Sequence, residues 1–199
     1  MSGDGNNGTD TAITYVNGKF GQAASFNGSS STIAMNSRTP SFPAGTSART
    51  LAIWANFSGT PSSGINYTLL AYGSQSNNQL YLCAYSNSSD TYQLKVFAFN
   101  NDVGINLLGG AISTGVWHRI VFTFSGTTLT TYLDGNLQGT ATHNSVNTVN
   151  NNNSNYIGSY IGTVSFMNGL LDEPLIENRV WSASEVRKDF TMGKGRFGL

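Results

Sequence analysis

Residues 117–143 read WHRIVFTFSGTTLTTYLDGNLQGTATH. Apolar and polar side chains alternate along this stretch, which is the pattern of half-buried β-strands. The Asp134-Gly135 pair favours a two-residue type I′ hairpin turn, and the segment Ser125-Gly126-Thr127 supplies a second tight turn. The stretch therefore predicts three antiparallel strands that follow one another as a meander.

The same alternation recurs along the rest of the chain, whereas helical periodicity is nearly absent. The first strand of the meander places three large apolar side chains on one face, which we expect to face the core: Ile120, Phe122 and Phe124. The predicted strands are 11–16, 23–26, 32–35, 50–57, 67–72, 80–85, 92–99, 117–124, 128–133, 137–143, 156–161 and 170–176. A dozen short strands predict an all-β protein, a two-sheet antiparallel jelly-roll sandwich.

One short helix is expected near the C-terminus. Ser182 precedes Glu185 by three residues, so the serine can cap the first turn while the glutamate reaches back to the backbone. Trp181 can pack on Val186 across this turn as a hydrophobic staple. We expect the helix to stop by Gly193, because glycine favours the conformation that ends helices.

A length of 199 residues predicts a single domain, which we place at residues 1–192, followed by a loose tail over 193–199. Cys83 is the only cysteine, so no internal disulfide is possible, and we expect it to be a small core residue. Residues 1–5 lack a basic region followed by an apolar run, so we expect no signal peptide.

The composition excludes several classes of partner. Charged residues make up 10% of the chain and the formal net charge is zero. Affinity for nucleic acids comes largely from clustered Lys and Arg, so we expect no nucleic-acid partner. No stretch approaches the roughly 20 apolar residues of a membrane-spanning helix, so we expect no membrane insertion. Gly, Ser, Thr and Asn take the place of the missing charge.

Several segments resemble, in order, the laminin G-like branch of the concanavalin A-like jelly rolls. They are Gly5-Asn6-Asn7-Gly8-Thr9, Gly18-Lys19-Phe20-Gly21-Gln22, Ala24-Ser25-Phe26-Asn27-Gly28, Trp117-His118-Arg119-Ile120, Tyr132-Leu133-Asp134-Gly135, Phe166 to Glu173, and Ser182 to Glu185. The resemblance covers about residues 5 to 190. It implies two antiparallel sheets, one of them concave, and a function in binding. Such domains are glycan-binding or adhesive modules of extracellular proteins, and they also occur on bacterial adhesins and phage virions.

The superfamily also includes glycoside hydrolases, which need a pair of carboxylates flanking the scissile bond. The Glu-x-Asp-x-x-Glu pattern of jelly-roll glucanases is absent. The three glutamates lie late in the chain, at Glu173, Glu177 and Glu185, and the aspartates Asp90, Asp102 and Asp134 are predicted to lie in turns. His118 and His143 are the only histidines, and a Ser-His-Asp arrangement cannot be inferred from spacing. We therefore assign no catalytic residue and expect the chain not to be an enzyme.

The resemblance also implies one structural calcium ion. Related jelly rolls hold it with a carboxylate from the last strand and with backbone carbonyls, oxygen ligands of the kind that calcium prefers. By resemblance, Asp172 would supply the carboxylate, and Gly28 and the segment Asp4–Asn6 would supply carbonyls. Asn27 stands where the family often has Asp, which lowers the charge of the site. The alternative is that Asp172 caps a local turn before Pro174.

Aromatic side chains on the concave sheet are the candidates for binding a glycan. In the strand 80–85, Leu80, Leu82 and Ala84 share one face, which leaves Tyr81 and Tyr85 on the other. In the strand 92–99, the face opposite Leu94, Val96 and Ala98 carries Lys95, Phe97 and Phe99. The alternative is that these aromatic residues are core, because a sheet buried on both sides carries aromatic residues on both faces.

We therefore expect a non-catalytic carbohydrate-binding or cell-surface adhesion module that recognises glycans or a host cell surface. A second hypothesis is a structural or host-recognition domain of a virion surface, such as a phage tail or head appendage, in contact with other virion subunits. A degenerate glycoside hydrolase is the third. The expected location is extracellular or on a virion.

Overall fold

The computed structural model describes residues 8–35, 42–76, 79–98, 101–144, 146–149 and 155–195. These residues form fourteen β-strands and one α-helix. The strands are β1 Gly8–Thr11, β2 Thr14–Asn17, β3 Gln22–Asn27, β4 Thr32–Met35, β5 Arg49–Phe57, β6 Asn66–Gly73, β7 Leu80–Ser88, β8 Thr91–Phe97, β9 Asp102–Asn106, β10 His118–Ser125, β11 Thr128–Leu133, β12 Asn136–Thr142, β13 Tyr156–Ile157 and β14 Asn168–Glu177. The helix, α1, spans Ala183–Gly195.

The strands pair into two antiparallel sheets of seven strands each. The front sheet has the order β1-β4-β13-β6-β7-β8-β9, and the back sheet has the order β12-β11-β10-β5-β14-β3-β2. The predicted two-sheet jelly-roll sandwich is thus confirmed.

The main hydrophobic core fills the space between the two sheets. Ile120, Phe122 and Phe124 of β10 lie in it, each at most 1% exposed, as their alternation predicts. β10, β11 and β12 form the predicted meander. Asp134 and Gly135 both have positive φ angles, 52° and 76°, as a type I′ turn requires.

The helix covers the outer face of the back sheet. The Ser182 N–H donates to Glu185 Oε2 at 2.7 Å and the Glu185 N–H donates to Ser182 Oγ at 3.3 Å, which is the predicted reciprocal cap. Trp181 and Val186 lie together in the cluster beneath the helix.

The helix continues to Gly195, beyond the predicted end at Gly193. Gly193 is buried against the ring of Trp54, where any β-carbon would overlap the indole. The expected boundary between residues 192 and 193 therefore falls inside the last helical turn. Residues 196–199, the rest of the predicted tail, lie outside the described residues.

Some of the strand predictions needed correction. The segment 11–16 is divided, because Ala12 adopts a positive φ of 50° and the chain passes there from the front sheet to the back sheet. Strand β9 was not predicted, because its sequence DVGIN is rich in residues that are depleted in strands. Asp102 is thus the first residue of an edge strand rather than a turn residue.

A buried arginine closes one end of the core. Arg49 is 0% exposed, and its guanidinium donates to the Tyr72 hydroxyl at 2.8 Å and to the Thr148 hydroxyl at 2.6 Å. It also donates to the carbonyl oxygens of Ser47 and Gly45. Neutral hydrogen-bond acceptors and aromatic faces stabilise its positive charge, and the guanidinium carbon lies 4.9 Å from the Tyr81 ring centroid.

Among the described residues, no helix has both the length and the apolar character needed to cross a membrane.

Candidate functional site

The outer face of the front sheet carries mixed side chains, and we call it the front face. Residues that lie directly opposite on neighbouring antiparallel strands point to the same side of a sheet, so they form rows across the strands. Three such rows cross β6 to β9: Ala71, Leu82, Phe97 and Asp102; Thr68, Ala84, Lys95 and Gly104; and Asn66, Ser86, Gln93 and Asn106. The first row is largely apolar and the third is entirely polar.

A cavity of about 320 Å³ opens on this face. We call it the front cavity, and its lining residues are Asn66, Thr68, Leu80, Leu82, Phe97, Asp102, Tyr160 and Ser165. Its floor is apolar, because Leu80 and Leu82 belong to a buried cluster against which Phe97 and Tyr160 pack. Ligand sites in proteins span about 300–1,000 Å³, so the cavity has the size of one small ligand or of one unit of a larger one.

Thr68, one of the lining residues, carries a buried hydroxyl group without a partner in the described part of the chain. Thr68 is 0% exposed, and among the described residues its Oγ1 makes no hydrogen bond. A buried polar atom without a partner costs about 1–3 kcal/mol. Because this oxygen is fully buried, a ligand in the cavity would reach it only through a small shift of the surrounding wall.

The loop between β13 and β14 forms one wall of the cavity and is held firmly. The Gly158 N–H donates to the Leu69 carbonyl at 3.2 Å, the Met167 N–H donates to the Gly158 carbonyl at 2.7 Å, and the Thr68 N–H donates to the Ser165 carbonyl at 3.1 Å. These bonds fix the positions of the two cavity residues that the loop carries, Tyr160 and Ser165.

The same loop contains backbone strain. Ile161 and Ser165 have φ angles of 53° and 55°. A β-branched residue in this left-handed region is a conformational outlier, and such outliers concentrate at binding and catalytic sites. Of these two residues, Ser165 lines the cavity and Ile161 follows the lining residue Tyr160.

The charges of the front face form one ion pair. Lys95 Nζ lies 3.8 Å from Asp102 Oδ2 and 4.3 Å from the centroid of the Phe97 ring. Burial raises the pKa of the Tyr160 hydroxyl, and the nearby Asp102 carboxylate raises this pKa further. Tyr160 therefore stays protonated near neutral pH and can donate a hydrogen bond.

The predicted site residues divide between the front face and the core. Lys95 and Phe97 lie on the front face, on the side of β8 opposite the core residues Leu94 and Val96, and Phe99 lies outside the described residues. The placement of Tyr81 and Tyr85 on an exposed face is wrong, because both are 0% exposed and belong to the main core.

The register of β7 against β8 explains this correction. Cys83 pairs with the core residue Val96, so β7 turns Cys83 and the two tyrosines inward. Both faces of β7 are apolar and buried, so alternation alone could not tell them apart. The Tyr85 hydroxyl accepts the Ile112 N–H at 3.0 Å, whereas the Tyr81 hydroxyl has no partner among the described residues.

Two of the residues expected to hold calcium, Gly28 and Asp172, do not come together. Asn27, the residue before Gly28, lies opposite Asn168 at the end of β3. Leu171, the residue before Asp172, lies opposite Ala24, near the beginning of β3. Gly28 and the position opposite Asp172, residue 23, are five residues apart, which is about 16 Å along a strand. Calcium ligands lie within about 2.6 Å of the ion, so Gly28 and Asp172 cannot share one.

Both oxygens of the Asp172 carboxylate accept hydrogen bonds from backbone N–H groups. Its Oδ2 accepts the Phe20 N–H at 2.8 Å and its Oδ1 accepts the Glu173 N–H at 2.9 Å. The second bond is the local cap that was the alternative to a metal ligand. The described residues contain no group of three or more His, Cys, Asp or Glu that could hold a metal ion, and Asp4 and Asn6 lie outside them.

A hydrogen-bonded Ser-His-Asp arrangement, which sequence spacing did not predict, lies outside the front cavity. Ser113 Oγ lies 2.9 Å from His118 Nε2, and His118 Nδ1 lies 2.7 Å from Asp134 Oδ2. His118 Nε2 is also 3.2 Å from the Ser113 carbonyl oxygen, and Asp134 Oδ1 accepts the Arg119 N–H at 2.9 Å. These contacts join the loop before β10 to the turn after β11.

Other residues of the front cavity were also missed by sequence reasoning, among them Asn66, Thr68 and Tyr160. The segment 156–161 was predicted as one strand, yet only Tyr156–Ile157 is extended and the loop begins at Gly158. Gly158 and Gly162, both with positive φ, were the local signal that this segment turns.

Solved structures with similar folds include one domain of an extracellular arabinanase and the binding domains of a mosquitocidal protein and of a botulinum neurotoxin. Domain 4 of AbnA, a GH43 extracellular arabinanase from Geobacillus stearothermophilus solved in complex with arabinotriose, is 20% identical with a TM-score of 0.68, and the match covers 91% of this chain and 86% of that one. The binding domain of Paraclostridial Mosquitocidal Protein 1 is 18% identical with a TM-score of 0.71 and coverages of 98% and 49%. The botulinum neurotoxin serotype G binding domain is 11% identical with a TM-score of 0.67 and coverages of 97% and 48%. At these identities the likeness shows the fold, and the chain spans about half of each toxin domain.

No curated protein sequence matches the chain. A laminin G-like family model does match it, over residues 27–187, which is more than half of its length. The sheet order, the central meander and the capped helix described above lie largely within that match. The chain therefore belongs to the laminin G-like family of the concanavalin A-like lectin/glucanase superfamily.

Proposed function

We propose that this protein is a non-catalytic carbohydrate-binding module that holds one sugar unit of a glycan in the front cavity. The observation that carries the proposal is Thr68, a wall residue of a cavity with an apolar floor, whose buried hydroxyl has no partner among the described residues. An apolar ligand would leave that hydroxyl unsatisfied, whereas a sugar hydroxyl would satisfy it.

The remaining walls suit the two kinds of surface that a sugar presents. Phe97 and Leu82 offer apolar surface to the C–H groups of a ring. Asn66, Asp102 and Ser165 offer acceptors and donors to its hydroxyl groups. The polar row that includes Gln93 and Asn106 continues beyond the cavity, where further units of an oligosaccharide would lie.

The carboxylates argue for binding rather than hydrolysis. Glycoside hydrolases flank the scissile bond with two carboxylates, about 5–5.5 Å apart in retaining enzymes and further apart in inverting ones. Asp102 is the one carboxylate among the described residues that line the front cavity. A module with this cavity holds a glycan without supplying the acid and the nucleophile or base that would cleave it.

The structural neighbours support the same class of function. One of them was solved with arabinotriose and belongs to an extracellular arabinanase, and others are receptor-binding or binding domains of toxins. By this likeness we propose that the protein works outside the cell, on glycans of a cell surface or of a polysaccharide.

The substitution Thr68→Val tests the proposal with little disturbance to the fold. Valine has nearly the shape of threonine and removes only the unpartnered hydroxyl, so the melting midpoint should stay the same or rise slightly. Binding to a glycan array and to arabino-oligosaccharides, measured by titration calorimetry, should weaken about tenfold through the loss of one hydrogen bond.

Thr131→Val is the matched control. Thr131 is also 0% exposed and its hydroxyl is also unpartnered among the described residues, but it lies in β11 of the back sheet. The control should keep full glycan binding. Equal binding by the wild type and both variants would contradict the placement of the glycan at Thr68, and no binding of any glycan by the wild type would contradict the function.

A further inference from the structure

We propose that the front cavity selects neutral sugars over acidic ones and that Asp102 is the residue that determines this selectivity. The inference rests on the proposed function and adds the chemical class of the glycan. It concerns the charge of the ligand: a neutral hexose or pentose unit is accepted, and a uronate, sialate or sulfated unit is disfavoured.

The position of Asp102 makes it the charge that a ligand meets. It is the first residue of the edge strand β9, it lines the front cavity, and its side chain is 38% exposed. Among the described lining residues it is the only charged one. Tyr160, another lining residue, is close enough to Asp102 for this carboxylate to add to the effect of burial in raising the pKa of the tyrosine hydroxyl.

A carboxylate at this point favours hydroxyl groups as partners. Ionised Asp accepts hydrogen bonds through two oxygens and donates none, so neighbouring sugar hydroxyls can both donate to it. Such charge-assisted bonds are stronger than bonds between neutral groups. A carboxylate or sulfate on the ligand would instead place two like charges close together in a partly desolvated site, which is unfavourable.

The positive charge of Lys95 does not reverse the preference for neutral ligands. Its ammonium lies 3.8 Å from the Asp102 carboxylate and over the Phe97 ring, its side chain is only 23% exposed, and it is not among the residues that line the cavity. Lys95 therefore offsets part of the negative charge of Asp102 while its ammonium group stays in contact with Asp102 and with the Phe97 ring. An acidic ligand would have to displace Asp102 from Lys95 to gain a partner.

This geometry predicts opposite effects for the two members of the ion pair. In Asp102→Asn the repulsion disappears and Lys95 loses its anionic partner, so acidic glycans should gain affinity. In Lys95→Gln the Asp102 charge is no longer compensated, so acidic glycans should lose affinity. Both substitutions are close in size to the residue that they replace and lie on the surface, so the fold should be kept.

The experiment measures the ratio of affinities for neutral and acidic glycans. The probes are neutral arabinan, galactan, glucan and mannan oligosaccharides and acidic galacturonate, glucuronate, sialylated and sulfated oligosaccharides, on an array and then by calorimetry at low salt. We expect the wild type to prefer its best neutral probe at least tenfold. Asp102→Asn should reduce this ratio severalfold, and Lys95→Gln should increase it.

Each outcome separates selectivity from function. A wild type that prefers acidic probes, or a ratio that is the same in the wild type and both variants, would overturn the role of Asp102 while leaving the glycan-binding function intact. Absence of binding to every probe by the wild type would overturn the function itself, and the selectivity with it.

Discussion

Leu82 of β7 lies directly opposite Phe97 of β8, and both residues line the front cavity. This pairing sets the face of every other residue on the two strands, because side chains alternate with a period of two. It directs Phe97 toward the front cavity and directs Tyr81 and Tyr85 into the core. The aromatic surface available to a sugar is therefore that of Phe97 and Tyr160.

Phe97→Ala should weaken glycan binding, with some loss of stability because the ring also packs against the buried cluster of Leu80 and Leu82. The ring is partly exposed at the cavity, so its removal takes away apolar contact with the sugar, worth about 1–2 kcal/mol or about tenfold in affinity. Calorimetric titration and thermal melting measure the two effects. Tyr15→Ala, which removes an aromatic ring that is 52% exposed on β2 of the back sheet, is the control and should bind normally. Unchanged binding by Phe97→Ala would contradict the assignment.

Tyr81→Phe and Tyr85→Phe should differ in stability although both remove one hydroxyl from the core. The Tyr81 hydroxyl has no partner among the described residues, so its loss should leave stability unchanged or slightly increased. The Tyr85 hydroxyl accepts the buried Ile112 N–H, so its loss should cost about 1–2 kcal/mol. Urea unfolding of both variants checks this, and equal losses would contradict the hydrogen-bond assignment.

Arg49→Lys should lower the free energy of unfolding by about 2–3 kcal/mol. Lysine cannot reproduce the planar group that contacts Tyr72, Thr148 and two carbonyl oxygens at once. Arg179→Lys is the control: Arg179 is 52% exposed in its side chain and pairs with carboxylates at the surface, so the change should stay within about 0.5 kcal/mol. Similar unfolding curves for both variants would argue against the role of Arg49.

Stability should fall as the pH is lowered from about 7 to 5, in part because of His143. This residue is 1% exposed, and neither ring nitrogen has a hydrogen-bond partner among the described residues. Burial lowers its pKa below the ordinary value of 6.5, against a smaller opposite effect of Asp102. The unfolded chain therefore takes up a proton at a higher pH than the folded one, and folding loses free energy as the pH falls through that interval. The variant His143→Leu should show a shallower pH dependence in urea unfolding; an identical slope would rule this cause out.

Asp172→Asn should reduce stability by the same amount with calcium and with a chelator. The carboxylate accepts two backbone N–H groups, whereas an amide offers a single acceptor oxygen, so about 1–2 kcal/mol should be lost. Thermal melting of the wild type and the variant in both conditions checks this. A midpoint that calcium raises in the wild type but not in the variant would restore Asp172 as a metal ligand.

The features that were predicted from the sequence depend on neighbours along the chain. The Asp134-Gly135 turn and the cap between Ser182 and Glu185 follow from residue types at short, fixed spacings. The inward face of β10 follows from three large apolar residues opposed by Arg119 and Thr123. In each case the local signal and the tertiary structure agree, so alternation and capping rules suffice.

The features that were not predicted depend on contacts between distant segments. β7 has apolar side chains on both faces, and only its register with β8 decides which face meets the core. The approach of Ser113 to His118 and Asp134 and the contact of Arg49 with Thr148 join segments that no spacing rule connects. The front cavity has the same origin, because the loop that carries Tyr160 reaches it from another part of the chain.

The position of α1 has a practical consequence for the use of this protein. The helix packs on the outer side of the back sheet, and the front cavity opens on the outer side of the other sheet. The two lie on opposite sides of the sandwich. Attachment to a sensor chip or a bead through the helix would orient every molecule with its cavity toward the solvent, whereas coupling through Lys95, on the front face beside the cavity, would turn the cavity toward the support.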